Sequence, residues 1–179
     1  MRVDMRRLML LRHAKAEKAK SGEPDRDRPL SGRGRRDAPK IGTYMARHKL
    51  LPERALVSPA LRTRETWDLL DEALAAVPLV LYDEHLYHAS AETLLKAIQN
   101  TPREVHSLLA IGHNPGLHDL ARLLIASGDV ETRERLQENL PTTGLVILDF
   151  AFDDWSKLHP HSGRLDRFVS PRSIELAED

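Results

Sequence analysis

A chain of 179 residues can form one domain around one buried core, and we expect residues 1–179 to be a single domain. Hydrophobic residues make up 41% and charged residues 30%, which indicates a globular rather than a disordered protein. Basic and acidic residues number 27 each, and this zero net charge argues against nucleic acid as the main partner. The absence of cysteine excludes disulfides, thiolate metal ligands and cysteine nucleophiles.

The N-terminal part begins with a short strand and a charged loop. Residues 8–11 form a continuous apolar run, typical of a strand buried on both faces. The run is shorter than the core of a signal peptide, about 7–15 residues. No transmembrane stretch follows it, so we expect a cytoplasmic protein without a membrane partner. Residues 15–30 are charged and carry Gly22, Pro24 and Pro29, which predicts a surface loop.

The rest of the chain alternates short apolar runs with amphipathic segments. This pattern predicts βαβ units and a three-layer α/β/α fold, with a mostly parallel sheet and helices on both faces. The predicted strands are residues 55–57, 79–81 and 108–111, and the predicted helices are residues 31–50, one from about residue 61, one capped by Ser90, and one that includes residues 117–124. Pro39 should kink the first helix or mark a late start. Residues 130–140 favour an exposed helix, and residues 145–152 and 164–169 favour two late strands, which could pair as a hairpin.

Side chains that can bind or attack phosphate follow three of the predicted strands. Arg12 and His13 end the first strand, Arg62 lies just after the second, and His113 ends the fourth. Because the carboxyl ends of parallel strands share one edge of the sheet, we expect these four side chains to meet there.

These residue types suit phosphoryl transfer. The planar guanidinium of arginine pairs with two phosphate oxygens at once and stays charged. A histidine that attacks phosphorus must be neutral, and neighbouring guanidinium groups would lower its pKa. A hydrogen bond to one ring nitrogen would leave the other nitrogen free. A second histidine could stay charged or donate a hydrogen bond to the oxygens that become more negative.

Three motifs resemble the histidine phosphatase superfamily, which has the phosphoglycerate mutase-like fold. They are its Arg-His-Gly signature, its second motif after a Ser-Pro turn and its late Gly-His motif, at residues 10–14, 58–66 and 112–116. Residues 34–39 and 86–90 are similar to runs of the small SixA-like phosphohistidine phosphatases. The resemblance covers roughly residues 7–150 in the correct order.

The resemblance implies roles for five residues. Arg12, His13, Arg62 and His113 would form the phosphate pocket, with His13 as the nucleophile that becomes phosphorylated. The backbone N–H of Asn114, at a helix start, would be a further donor to the anion. The resemblance implies no metal and no cofactor.

Two positions depart from the pattern of the superfamily. Ala14 replaces the usual glycine, which should narrow the space beside the nucleophile. Many relatives place an acidic residue after the third strand, where Asp83 and Glu84 stand here, and we take Glu84 as the candidate general acid. A phosphohistidine substrate needs this acid less, because its P–N bond is labile. A sugar alkoxide would lose about 10²–10⁴ in rate without it.

Three functions fit these residues. The first is removal of phosphate from phosphohistidine on a protein, because the chain lacks long insertions that would build a deep small-molecule pocket. The second is hydrolysis of a small phosphate ester, such as a sugar phosphate or a nucleotide. The third is a non-catalytic phosphate-binding module. The lack of an obvious acid allows this function, whereas the intact set of Arg12, His13, Arg62 and His113 argues against it.

His85 and His88 could line the mouth of the pocket or have only a structural role.

Overall fold

The computed structural model describes residues 4–178, which form seven strands and six α-helices. The strands are β1 Arg6–Arg12, β2 Arg54–Val57, β3 Leu79–Tyr82, β4 Ser107–Gly112, β5 Ile125–Gly128, β6 Leu145–Phe150 and β7 Gly163–Val169. The helices are α1 Gly32–Arg47, α2 Leu61–Ala73, α3 Ala91–Gln99, α4 Gly116–Leu124, α5 Val130–Glu138 and α6 Pro171–Glu178, and short 3-10 helices lie at Asp25–Asp27, Glu84–Leu86 and Trp155–Lys157. Strand β5 and helix α6 were not predicted.

All seven strands belong to one sheet, in the order β3-β2-β4-β1-β6-β7-β5. Strands β3, β2, β4 and β1 are parallel to one another, as is the β7-β5 pair, while β6 is antiparallel to both β1 and β7. The α/β class and the mostly parallel sheet are therefore confirmed, as is the antiparallel pairing of the two late strands.

The central strand β1 separates two apolar cores. Leu8 and Leu10 pack on one face of the sheet with side chains of α3, α4 and α5. Met9 and Leu11 pack on the other face with side chains of α1, α2 and α6. All four are fully buried, and each stabilises the fold by about 1.5–3 kcal/mol. Helices thus cover both faces, as the continuous apolar run predicted.

Helix α1 begins at Gly32 and continues through Pro39, so the prediction that the helix could start late, at this proline, is wrong. Ser31 caps the helix by accepting a hydrogen bond from the Gly34 backbone N–H at 3.1 Å, which fixes its start well before the proline. Gly34 lies against the preceding loop, because a Cβ at this position would come within 2.2 Å of the Lys15 carbonyl oxygen.

The loop of residues 15–30 has an ordered path across the surface. Ala16 pairs with Leu30 in an antiparallel bridge that closes the loop at its base, and both side chains are buried. A 3-10 turn at Asp25–Asp27 lies within the loop. No helix within residues 4–178 is long and apolar enough to cross a membrane.

Candidate active site

The parallel strands bring the predicted residues to one edge of the sheet. Arg12 at the end of β1 is in register with Gly112 of β4, and Val57 of β2 is in register with Ile111. The residues that follow these strands therefore meet, as predicted, at a cavity of about 220 Å³. Its lining consists of Arg12, His13, Lys15, Ala16, Asp25, Arg28, Arg62, His88, His113, Asn114 and Thr142.

His13 is held as a neutral imidazole. Its Nδ1 donates to the carbonyl oxygen of Ala14 at 2.8 Å, which leaves the lone pair on Nε2. Burial lowers the pKa of His13 to about 4, the charges of Arg62 and Arg12 act in the same direction, and the bond to Ala14 opposes them. The predicted effect of the arginines is present, but burial is the larger cause.

Backbone hydrogen bonds fix the segment that carries His13. The N–H of Thr143 donates to the carbonyl oxygens of both Arg12 and His13 at 3.1 Å. On the other side, the N–H of Ala14 donates to the Oγ1 of Thr66, a residue of α2, at 3.0 Å. Hydrogen bonds from two separate elements therefore hold the backbone around His13 and limit its movement.

Ala14 does not narrow the cavity, so that expectation is wrong. Its side chain is fully buried in a small apolar cluster with Leu30 and Ala38. The extra methyl group of alanine thus packs against the base of the loop and the start of α1, and Ala14 is absent from the cavity lining.

The two predicted arginines keep donors for a ligand. Arg62 is buried and uses two of its five N–H groups on Asp25, one on the backbone oxygen at 2.9 Å and one on Oδ2 at 3.1 Å. Arg12 donates one N–H to the carbonyl oxygen of Leu140 at 3.1 Å. Burial lowers the pKa of Arg12, yet a guanidinium remains charged near neutral pH.

His113 lies beside the nucleophile, with the two ring centres 5.3 Å apart. Its Nε2 shares a hydrogen bond of 2.6 Å with the hydroxyl of Ser58, at the end of β2. Burial lowers the pKa of His113 to about 2, helped by His13 and Arg62. Of the two predicted states of this histidine, the structure therefore favours the neutral one.

Five polar residues of the lining are not among the predicted site residues: Lys15, Asp25, Arg28, His88 and Thr142. The Asp25 carboxylate accepts hydrogen bonds from the Tyr87 hydroxyl at 2.5 Å, His88 Nε2 at 2.9 Å and Arg28 at 3.0 Å, besides the bond from Arg62. The bond from Tyr87 is the largest cause that holds the pKa of Asp25 well below its usual range. Nothing in the sequence distinguishes Asp25 from the other charged residues of its loop, whereas His88 is one of two histidines that the sequence allows at the mouth of the pocket.

Glu84, the candidate acid, lies outside the cavity lining. Both of its carboxylate oxygens accept hydrogen bonds from Arg26, at 3.0 and 3.1 Å, and its side chain is 71% exposed. Asp83 accepts two hydrogen bonds from His85.

Asn114 does line the cavity, and its side-chain amide donates a hydrogen bond to the carbonyl oxygen of Leu140.

The fold and the cavity define the class: a phosphoglycerate mutase-like α/β protein with arginines and histidines at the ends of its parallel strands. The histidine phosphatase superfamily (branch 1) matches over residues 8–87. An uncharacterized protein of Mycobacterium tuberculosis (strain H37Rv) is 34% identical over 164 residues, which cover 90% of this chain and 100% of the relative.

Two solved structures resemble the chain over nearly its whole length. A candidate phosphohistidine phosphatase SixA of Agrobacterium tumefaciens is 32% identical, with a TM-score of 0.77 over 93% of this chain and 98% of that chain. A candidate SixA of Nakamurella multipartitia has a TM-score of 0.81 at 23% identity, over 93% of this chain and 96% of that chain. The chain belongs to the histidine phosphatase superfamily, in its SixA-like branch, and is a phosphatase of that superfamily.

Proposed function

We propose that this phosphatase removes the phosphoryl group from phosphohistidine on a protein, through an intermediate in which His13 itself is phosphorylated. The observation that carries the proposal is the state of His13: a neutral imidazole with Nδ1 bonded to a carbonyl oxygen, in a cavity that also holds Arg12 and Arg62.

In the first step, the lone pair of His13 Nε2 attacks the phosphorus atom. The P–N bond of the substrate breaks, its electron pair stays on the leaving imidazole, and that imidazole takes up a proton from solvent. Arg12, Arg62 and His113 bind the oxygens of the transferring phosphoryl group, with the backbone N–H of Asn114 as a further donor. In the second step, water adds to phosphorus and releases one proton to solvent, and the electron pair of the P–Nε2 bond returns to His13.

The size of the cavity supports a phosphoryl group presented on a protein surface. Pockets that enclose a whole small molecule measure about 300–1,000 Å³, whereas this cavity measures about 220 Å³. Lys15 and Arg28 stand in its lining as further positive charges. The 32% identity to the candidate phosphohistidine phosphatase of Agrobacterium tumefaciens supports the same substrate class.

The first experiment compares wild type with His13→Ala on a phosphohistidine protein and on p-nitrophenyl phosphate. We expect turnover of both substrates by wild type, faster on the protein, and none by the variant. His159→Ala, which changes an exposed histidine whose ring nitrogen bonds the Lys157 carbonyl oxygen outside the cavity, is the control and should match wild type.

Other results would select the alternatives. A strong preference for esters would favour a small phosphate ester, such as a sugar phosphate or a nucleotide, as the substrate. Phosphate binding without turnover would favour the non-catalytic module.

We also propose that the described residues are one domain, because both apolar cores lie on faces of the same sheet. The cytoplasmic location stays a prediction.

A further inference from the structure

A histidine–aspartate pair stands at the mouth of the cavity and has no part in the two steps above. His88 lines the cavity and donates from Nε2 to Asp25 Oδ2 at 2.9 Å. The His88 ring lies 5.2 Å from that of His113, which is in turn 5.3 Å from that of His13. The side chain of His88 is 51% exposed, so it can exchange protons with water.

The backbone at His88 is built to present this side chain. His88 has a φ of 50°, in the left-handed region that non-glycine residues seldom adopt, and such conformations cluster at functional sites. The next residue, Ala89, lies against Gly116 at the start of α4, where a Cβ would come within 1.9 Å of the Ala89 carbonyl oxygen. This close approach brings residues 87–90 to the strand end that carries His113.

The other titratable groups of the site are poorly suited to give up a proton. Burial keeps His13 and His113 neutral by lowering their pKa values. Burial also raises the pKa of the Tyr87 hydroxyl, which already donates to Asp25. Glu84 is bonded to Arg26 outside the lining.

The charges that face His88 come from three elements. Asp25 and Arg28 belong to the loop of residues 15–30, Arg62 comes from α2, and the neutral His113 follows β4. Both arginines share the Asp25 carboxylate with His88. The Asp25 carboxylate therefore orients the His88 ring through the bond to Nε2.

We propose that His88 is the residue that protonates the leaving group, and that Asp25 is its positioning residue. As His13 Nε2 bonds to phosphorus and the P–O bond of an ester breaks, the leaving oxygen keeps the electron pair and takes the Nδ1 proton of cationic His88. In the second step, neutral His88 takes one proton from the attacking water, whose oxygen bonds to phosphorus as the P–Nε2 bond breaks. The inference rests on the proposed function and extends the accessible substrates to phosphate monoesters with poor leaving groups.

The test compares wild type with His88→Asn on aryl phosphates whose phenols differ in acidity. Asparagine tolerates a positive φ and cannot act as an acid, so it suits this position. We expect kcat/KM to fall by less than about 10-fold on p-nitrophenyl phosphate and by about 10²-fold or more on phenyl phosphate. His85→Asn is the matched control, because His85 is paired with Asp83 at 2.9 Å but lies outside the cavity lining.

An equal loss on both substrates, or a loss no larger than that of His85→Asn, would overturn the role of His88. Trapping of phosphorylated His13 from p-nitrophenyl phosphate separates this result from failure of the proposed function. If wild type and His88→Asn both form the phosphoenzyme, an equal loss concerns His88 alone. If wild type never forms it, both proposals fall together.

Discussion

Two sides of the same cavity are built in different ways. The floor consists of Arg12, His13, Arg62 and His113, of which the last three are only 2–8% exposed. The wall consists of Asp25, Arg28 and His88, whose side chains are 25–51% exposed. Residues of the floor follow or flank parallel strands, whereas residues of the wall come from a loop and from a turn.

This difference in burial gives the two sides different electrostatics. On the floor, loss of water is the main cause that keeps His13 and His113 neutral. On the wall, hydrogen bonds from Tyr87, His88 and Arg28 keep the Asp25 carboxylate charged. The floor is thus suited to attack on phosphorus and to binding of its oxygens, while the wall, which is open to water, is suited to proton exchange.

After loss of the nucleophile itself, the largest expected effect comes from removing a cation of the floor. Arg62→Ala should lower kcat/KM by about 10²–10³, the usual cost of one lost donor to transition-state charge. Steady-state kinetics on p-nitrophenyl phosphate would measure this loss. Arg64→Ala, which removes an exposed arginine from the same helix, is the matched control and should stay within about twofold of wild type.

Burial of the floor should also appear in the pH dependence of stability. The pKa of His13 is lowered from 6.5 to about 4, so between these values the unfolded chain binds a proton that the folded chain excludes. The free energy of unfolding should therefore fall as the pH drops below 6.5, by about 1.4 kcal/mol per pH unit for this group.

Urea denaturation at pH 7 and at pH 4.5 would measure the difference. Wild type should lose about 2–3 kcal/mol more than His13→Asn, which has no such proton to bind. His159→Asn, at an exposed site, should behave like wild type. Equal losses in wild type and in His13→Asn would mean that burial does not set the protonation of the floor.

The smallest expected effect concerns the side chain that the sequence predicts as the acid. Glu84→Gln should change kcat/KM by less than about threefold, because Glu84 lies outside the cavity lining and its exposed ion pair with Arg26 is screened by water. The same aryl phosphates serve for this assay. A loss above about 10²-fold on phenyl phosphate would make Glu84 the acid in place of His88.

Sequence patterns predict the floor better than the wall, for physical reasons. Strands such as β1 are continuous apolar runs, and parallel strand ends meet at one edge, so the convergence of His13 and His113 follows from the pattern. Asp25 is one of many charged residues in a loop without periodicity. Its contact with His88 joins two segments that lie far apart in the sequence, and no local pattern reveals such a contact.

Strand β5 and helix α6 were missed for related reasons. Ile125–Gly128 contains alanine, serine and glycine, which lack the apolar alternation of a strand, and it pairs only along the edge of β7. Helix α6 is only eight residues long and has one buried residue, Pro171, so it offers few apolar positions from which a helix could be predicted. Both elements depend on tertiary contacts more than on local preference.

The central claim is that His13 carries the phosphoryl group during turnover. The most direct test mixes wild type with a labelled phosphohistidine protein and stops the reaction rapidly without acid. Peptide mass spectrometry then locates the phosphoryl group. We predict a phosphoryl group on His13 that is labile in acid and absent from His13→Ala. Turnover by wild type with no phosphoryl group on His13, even with slow substrates, would contradict the account.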